Sequence, residues 1–494
     1  MSSTSSLPPR TVRSRCALGL AALIALAGCS LAPHEAAVER ERMLAEGAPF
    51  DPPPAERLVP DLPEQADWRD LLRHAFLANG DLEAAYFEWR AAVERIDIEA
   101  GYPNSNASLN FAYLFSGDNL TAWNRTSLTA GFDPMQNLSF PTKVIAAGRV
   151  ATEEARAAGA RFAAAKFALQ RQVLDAYLDY ALLAERVRVQ HDDLALRRLA
   201  ADTAAARVRG GMPQQELLTA EVERQHGEHE LLDLDAMLPQ QRAELNALIG
   251  RGSDAPLPPP AALPAPRPLP ADDAQLLAVG TRANPELEAL ARTTAGRVDA
   301  LDRARQEFFP DINPFAGIQG SMEQVAGAAI TFPTKIPQIL AGIRDARAAL
   351  RASEALARQA QLDRGASFVA TLLALRSSER QLALLQQHVA PAAEEAADAA
   401  ERTYAAGGGD LMTYIAARRA LLDLRLAIAE TRVARERQVA ALEQLAGVDA
   451  ERLAAEAGGT AGIAKSAATE RGVAAAPVAA GDAQRRRAAE EVGS

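Results

Sequence analysis

The chain repeats itself at a spacing that no small domain could hold. Gly210 and Gly407, Ala220 and Ala417, Leu245 and Leu442, Leu248 and Leu445, and Gly250 and Gly447 are each 197 residues apart. The offset is constant over 41 residues, so nothing is inserted there in either copy. Upstream, Phe140-Pro141-Thr142-Lys143 returns as Phe332-Pro333-Thr334-Lys335 at an offset of 192, and Asn79-Gly80-Asp81-Leu82-Glu83 returns as Asn284-Pro285-Glu286-Leu287-Glu288 at 205. The period is several times that of a solenoid repeat, so the unit duplicated is a whole elongated structure. We place the first repeat at 67–250, a proline-rich linker at 251–272 and the second repeat at 273–447.

Within each repeat the hydrophobic period names the elements. Leu169, Val173, Ala176, Tyr180, Leu183, Val187 and Leu194 follow alternating steps of four and three, interrupted by polar Gln190, which predicts a heptad seam. Phe368, Leu372, Leu375, Leu382, Val389, Ala396 and Thr403 take the same spacing in the second copy. A helix from Thr142 to Arg209 would be about 100 Å long at 1.5 Å per residue. The return is made in two pieces, Met212 to Ile249 and Pro285 to Phe308, broken by the prolines between Pro256 and Pro270. Together they span about 93 Å, so the outgoing rod and its broken return match in length. Leu82 to Ile98 is the short return piece of the first repeat, and Leu411 to Ala446 the long one of the second.

Between the short and the long helices the period falls to two. Leu109, Phe111, Tyr113 and Phe115 alternate with Ser108, Asn110, Ala112 and Leu114, and Leu128, Ala130 and Phe132 with Ser127, Thr129 and Gly131, which predicts a hairpin. Asp311 to Phe332 holds a second hairpin with its turn at Ser321 to Gln324, each strand about nine residues, the length that crosses a bilayer when tilted. Pro314 falls inside a strand and removes a ladder donor.

Arg10, Arg13 and Arg15, the apolar run Ala17 to Ala27, and Gly28 before Cys29 have the order of a secretory signal at 1–28. Leu26-Ala27-Gly28-Cys29 resembles a bacterial lipobox, which implies acylation of Cys29 by fatty acids such as palmitate, and Ser30 after it resembles outer-membrane sorting. Residues 29–66 are expected to form an extended lead from that anchor, and 448–494, rich in Ala, Gly, Glu and Arg without periodicity, a disordered tail. After Cys29 no stretch approaches about 18 uninterrupted apolar residues, so no transmembrane helix is expected. The only cysteines are Cys16 and Cys29, which excludes a disulfide scaffold and a cysteine nucleophile in the body of the chain.

The paired Asn-x-x-Leu-Glu openings and Phe-Pro-Thr-Lys entries carry a family resemblance. To these belong Tyr404-x-x-Gly407 followed by Leu411, Ile415 and Ala417-Arg418, and its degenerate copy Arg207-x-x-Gly210 with Leu217, Leu218 and Ala220-Glu221. The Leu-x-x-Leu-x-Gly that closes each half completes the set. In this order the chain, from about Asp67 to Gly447, resembles the TolC-like outer-membrane efflux proteins. The Phe-Pro-x-Lys entry looks most like the heavy-metal cation branch. The resemblance implies a mainly α fold with a small β part: coiled-coil helical hairpins forming a periplasmic tunnel, and four strands per protomer in a shared transmembrane β-barrel. It implies a homotrimer in the outer membrane lipid, served by a periplasmic adaptor (membrane fusion protein) and an inner-membrane pump, with the turns at Gly210 and Gly211 and at Gly407, Gly408 and Gly409 as the adaptor-docking tip. It also implies a gate in which Tyr404 meets Glu216. The family's constricting carboxylates fall here on Thr413 and Ala416, and its arginine on Gly409, so the acidic ring is absent.

Independently of the family, four strands cannot close a membrane barrel, since about eight is the smallest number, so spanning strands require further copies. A rival reading is a non-conducting coiled-coil lipoprotein, and within the channel reading a duct for protein secretion competes with one for drugs or metals. No enzyme is expected, since no phosphate loop, nucleophile elbow or zinc-protease motif occurs. His226 and His229 beside Glu223 and Glu230 read as a solvated helix face, so neither metal nor cofactor is expected. With 53 Lys plus Arg against 64 Asp plus Glu, a net charge of −11, the chain is no uniformly basic nucleic-acid binder.

Overall fold

The computed structural model describes residues 31–101, 107–115, 121–132, 139–210, 213–269, 273–280, 284–321, 323–406 and 410–452. In chain order the elements are α1 (His34–Gly47), α2 (Trp68–Ala78), α3 (Gly80–Glu99), β1 (Ala107–Tyr113), β2 (Thr126–Phe132), α4 (Pro141–Arg209) and α5 (Gln214–Leu248). The second repeat follows with α6 (Asp273–Gly280), α7 (Pro285–Gln306), β3 (Asp311–Gln319), β4 (Glu323–Thr331), α8 (Ile336–Leu384), α9 (Ala390–Ala405) and α10 (Leu411–Ala446). The chain folds as two compact units that each draw on both repeats. One is built on residues 76–166 and 285–363 with the N-terminal segment as far as Pro60, the other on 61–75, 167–284 and the chain from Arg364 onward.

In the first unit β1, β2, β3 and β4 form one antiparallel sheet in that order. Asn110, Thr129, Gly317 and Val325 stand opposite one another in a single row across all four strands. Pro314 does lie in β3, opposite Ala328, but one residue past the last β2 pair, Gly131 and Phe315. The β3–β4 turn begins at Gly320, whose φ of 51° lies in the left-handed region. Asn124 caps that turn, accepting from the backbone N–H of Ser321 at 2.9 Å. The two Phe-Pro-Thr-Lys entries differ in use: Lys143 donates to Asp311 at 2.9 Å, while Lys335 is exposed.

The expected extended lead is a correction. Residues 34–47 are helical, because Pro33 precedes the first turn and the prolines at 49 and 52–54 follow the last, leaving an Ala- and Glu-rich stretch uninterrupted. Ala36, Glu39, Met43 and Gly47 are buried on one face of α1. Tyr86 donates to Met43 Sδ at 3.4 Å, Trp89 Nε1 donates to Glu39 at 3.0 Å, and Trp89 stacks on Phe162. A Cβ on Gly47 would lie 1.9 Å from the Tyr86 ring, so only glycine lets the helix end there.

In the second unit the first heptad seam is as expected: Leu169, Val173, Tyr180, Leu183 and Leu194 are buried, and Ala176 and Val187 half-buried. The second seam holds through Phe368, Leu372, Leu375 and Leu382 and then departs, with Val389, Ala396 and Thr403 exposed and Ala390, Ala393, Ala397 and Ala400 turned inward instead. The cause is a π-helical turn at Leu385–Val389. Pro391 has no N–H and its ring crowds the carbonyl four residues back; the wider turn relieves this and inserts one residue, moving the seam by one position.

Prolines also explain how the linker is held. Each proline offers a carbonyl and no N–H, so side chains of α4 and α10 supply donors, while the backbone N–H of Arg267 donates to Glu436 at 3.2 Å. Tyr180 donates to the Leu257 carbonyl at 2.8 Å, Arg432 to Pro264 at 3.0 Å and Arg435 to Arg267 at 2.7 Å. Arg267 itself is buried, bonded to Glu436 at 3.0 Å and Glu443 at 2.8 Å, and lies over the Trp68 ring. The glycines that close each repeat, Gly250 and Gly447, have φ of 75° and 68°, the left-handed residues that end a helix. No helix among the described residues is long and apolar enough to cross a membrane.

Candidate functional site

Two turns join the long helices, one after α4 and one after α9. Gly210 closes the first, its N–H reaching the Arg207 carbonyl at 2.9 Å, and Pro213 leads into α5. Asp410 precedes the first residue of α10. Gly211 and Gly407, Gly408 and Gly409 lie outside the described residues, as does Cys29.

Beside these turns α4, α5 and α10 enclose a cleft of about 510 Å³, lined by Arg197, Arg207, Glu216, Glu223, Asp410 and Arg419 among others. Its floor is a buried charge node on α4. Asp193 and Arg197, one turn apart, bind each other, and Arg197 also reaches the Glu223 carbonyl at 3.0 Å and Glu230 at 3.4 Å. Gly227 of α5 makes room for this, since a Cβ there would lie 2.8 Å from Arg197 Cδ. Two ion pairs then join the first helical hairpin to the second: Arg419 Nε to Asp193 at 2.8 Å, and Arg207 to Asp410 at 3.1 Å.

The expected bond between Tyr404 and Glu216 is not formed. Glu216 lines the cleft, whereas the Tyr404 ring stacks on Tyr414 with centroids 5.8 Å apart, within its own hairpin. Arg418 lies over the Tyr414 ring and is bonded to Glu401, and the Tyr414 hydroxyl and Glu401 together hold the Arg418 guanidinium above its ordinary pKa. Thr413 and Ala416 are exposed and neutral on the stripe that continues through Ala420 to Asp423. No group of three or more potential metal ligands occurs among the described residues, and His226 and His229 pair only with Glu230 and Asp233 on their own helix. Asp193, Arg197, Asp410 and Arg419 belong to none of the sequence motifs, and Arg207 enters only as the degenerate counterpart of Tyr404. A signal existed: Leu183, Gln190 and Arg197 occupy successive heptad positions, so two polar residues in a row sit where the seam calls for leucine.

An antiparallel four-stranded sheet in one unit and long antiparallel helical hairpins in the other are the parts of a fold shared with solved outer-membrane channels. Residues 271–448, essentially the second repeat, match the family model for outer membrane efflux proteins. The fold extends over more of the chain. The outer-membrane channel OprN matches with a TM-score of 0.62 at 20% identity, over 77% of this chain and 89% of its own. VceC of Vibrio cholerae matches with 0.61 at 18%, over 77% and 96%. The open state of the MtrE channel of Neisseria gonorrhoeae matches with 0.62 at 19%, over 77% and 89%. Among curated proteins none matches in sequence. The resemblance to TolC-like outer-membrane efflux proteins is thereby borne out, and both the family and the structural relatives are channels rather than enzymes.

Proposed function

We propose that this protein is the outer-membrane duct of a tripartite efflux system, passively passing cargo that an inner-membrane pump delivers through a periplasmic adaptor. The observation that carries this reading is the sheet in which, among the described residues, β1 and β4 are the outer strands, each paired with one neighbouring strand. Leu109, Phe111 and Ile330 on those edges are exposed, an apolar surface suited to lipid, yet an open edge in lipid leaves backbone groups unpaired. Further copies of the chain supply the missing edges, three by family resemblance, and the helical hairpins continue the barrel as a tunnel. Acylated Cys29 anchors each copy: Leu31, two residues on, donates its N–H to the carbonyl of Ala100 at the strand end of α3. The turns at Gly210 and at Gly407 to Gly409 form the adaptor-docking tip, and the ion pairs Arg419–Asp193 and Arg207–Asp410 hold the hairpins together when the tip is closed. No cofactor and no nucleic acid takes part. Purified protein in a planar bilayer is expected to show discrete single-channel conductance; a preparation that inserts and never conducts would leave only a structural lipoprotein.

A further inference from the structure

The internal repeat carries information about a contact that lies outside a single chain. Within the chain β2 joins the first repeat to the second through β3. If the sheet closes with further copies, the reading on which this inference rests, β4 and β1 of the next copy meet at the repeat-equivalent seam. We propose that they pair in one register, with Ala329 opposite Asn110 of the second copy.

The equivalence is fixed by two observations. Asn79 and Asn284 open the equivalent helices at an offset of 205, and the same offset carries Asn110 of β1 onto Phe315 of β3. Asn110 faces Thr129 and Phe315 faces Gly327, so Thr129 corresponds to Gly327 and Gly131, two further along, to Ala329. Gly131 stands opposite Phe315 in the chain. Transferred to the seam between copies, that pair becomes Ala329 and Asn110, and its neighbour becomes Ile330 and Leu109.

Two physical requirements that played no part in the transfer are met. The first is the face. Asn110 and Val325 belong to one row, and Ala329 shares the face of Val325 because strand side chains alternate. The register therefore matches like faces, and it sets Leu109 against Ile330, which are 68% and 55% exposed in the single chain. The second is the tilt. If Val325 met Asn110 of the next copy, the row would return to its own level and the strands would stand parallel to the barrel axis, whereas closed barrels need a tilt of about 35–45°. Placing Ala329 there advances the row by four residues over four strands. One residue of about 3.3 Å per strand spacing of about 4.8 Å is a tilt of about 35°. The number of copies cancels from this ratio, so the register holds for whatever number closes the barrel.

The test is disulfide trapping in the full-length protein in native outer membranes. Asn110 and residues of β4 lie at opposite edges of one sheet, three strand spacings or about 14 Å apart, too far for a bond within a chain. The pairs N110C with A329C, and L109C with I330C on the other face, are expected to give covalent oligomers on non-reducing gels. Their yield should be at least tenfold above N110C with V325C or N110C with G327C, and reductant should abolish it. Preferential linkage of either control pair would overturn the register while leaving closure by several copies intact. If no pair links and the variants still conduct, the register is again wrong. If no pair links and the unsubstituted protein does not conduct either, the channel reading falls and takes the register with it.

Discussion

Arg419→Met isolates the contact between the two helical hairpins at the tip. Its Nε donates to Asp193 at 2.8 Å, and Asp193 is buried while Arg419 is about a third exposed. A hydrogen bond to a charged partner contributes about 1.5–3 kcal/mol when buried, and an exposed ion pair about 0.2–1 kcal/mol. The half-exposed geometry places this pair near the boundary, at about 1 kcal/mol. Opening that breaks it should therefore become roughly fivefold more favourable in each copy when the guanidinium is replaced by an apolar stem of similar length. Asp193→Asn should have the same effect on opening. It leaves Arg197 with Glu223 and Glu230 inside the first hairpin, so that hairpin survives. The assay is open probability of single channels at low salt. The double variant should open no more than the stronger single variant, and 1 M salt should narrow the gap to the unsubstituted protein, since the exposed part of the pair is screened. Additive effects, or no change in open probability from Arg419→Met, would refute the claim that these side chains hold the tip.

Cys29→Ser should abolish fatty-acid labelling, because Cys16 lies within the signal and no other thiol follows; labelling that persists would refute the anchor. A cysteine at Gln214 should crosslink to the adaptor and one at Pro258 should not, and equal crosslinking would disprove docking at the turns. Burial pushes the Glu39 carboxyl above its ordinary pKa, against the lowering effect of Arg42 and the Trp89 hydrogen bond. A carboxyl whose folded pKa is raised binds its proton more tightly in the folded state, so stability rises as pH falls through that value. Glu39→Gln, which can still accept from Trp89, should therefore melt above the unsubstituted protein at pH 7.5, with the difference closing toward pH 5; a difference constant across that range would exclude the linkage.

How much of this was legible in the sequence depended on what each residue answered to. The long helices, both hairpins and the helix-ending glycines were readable because periodicity and left-handed backbone are local demands. The second seam failed at Leu385–Val389, where one proline changed the helix type and shifted every later position by one. The N-terminal helix was missed because its partners, Tyr86 and Trp89, are some fifty residues away, and proline content was read as extension although the prolines only flank it. At the tip the polar residues on the seam, Gln190 and Arg197, mark where charge is buried, but their partners on α5, and the Arg419 of α10 that pairs with the neighbouring Asp193, are set by packing between helices and have no signature in the spacing of any one of them. The family pattern points to Tyr404 and Glu216, whereas the contacts between the hairpins near these turns are Arg207 with Asp410 and Arg419 with Asp193.

That substitution of one set of contacts for another has a consequence for ions. In the resembled family the constriction is acidic, and a ring of carboxylates from several copies is a ready ligand set for a multivalent cation. Here the exposed stripe of α10 presents Thr413, Ala416 and Ala420 before its first acid, Asp423, which lies ten residues or about 15 Å along the helix from Thr413. Asp193 and Asp410 are already occupied by Arg419 and Arg207, and Glu216 stands on α5 in the cleft, off the exposed stripe of α10. A multivalent cation added on the tip side thus meets no carboxylate on the α10 stripe before Asp423. It should leave conductance unchanged at concentrations that block a Thr413→Asp variant, in which each copy contributes one acid to the opening. Block of the unsubstituted channel at the same concentration as the variant would show that some other carboxylate, Asp423 foremost, closes the path.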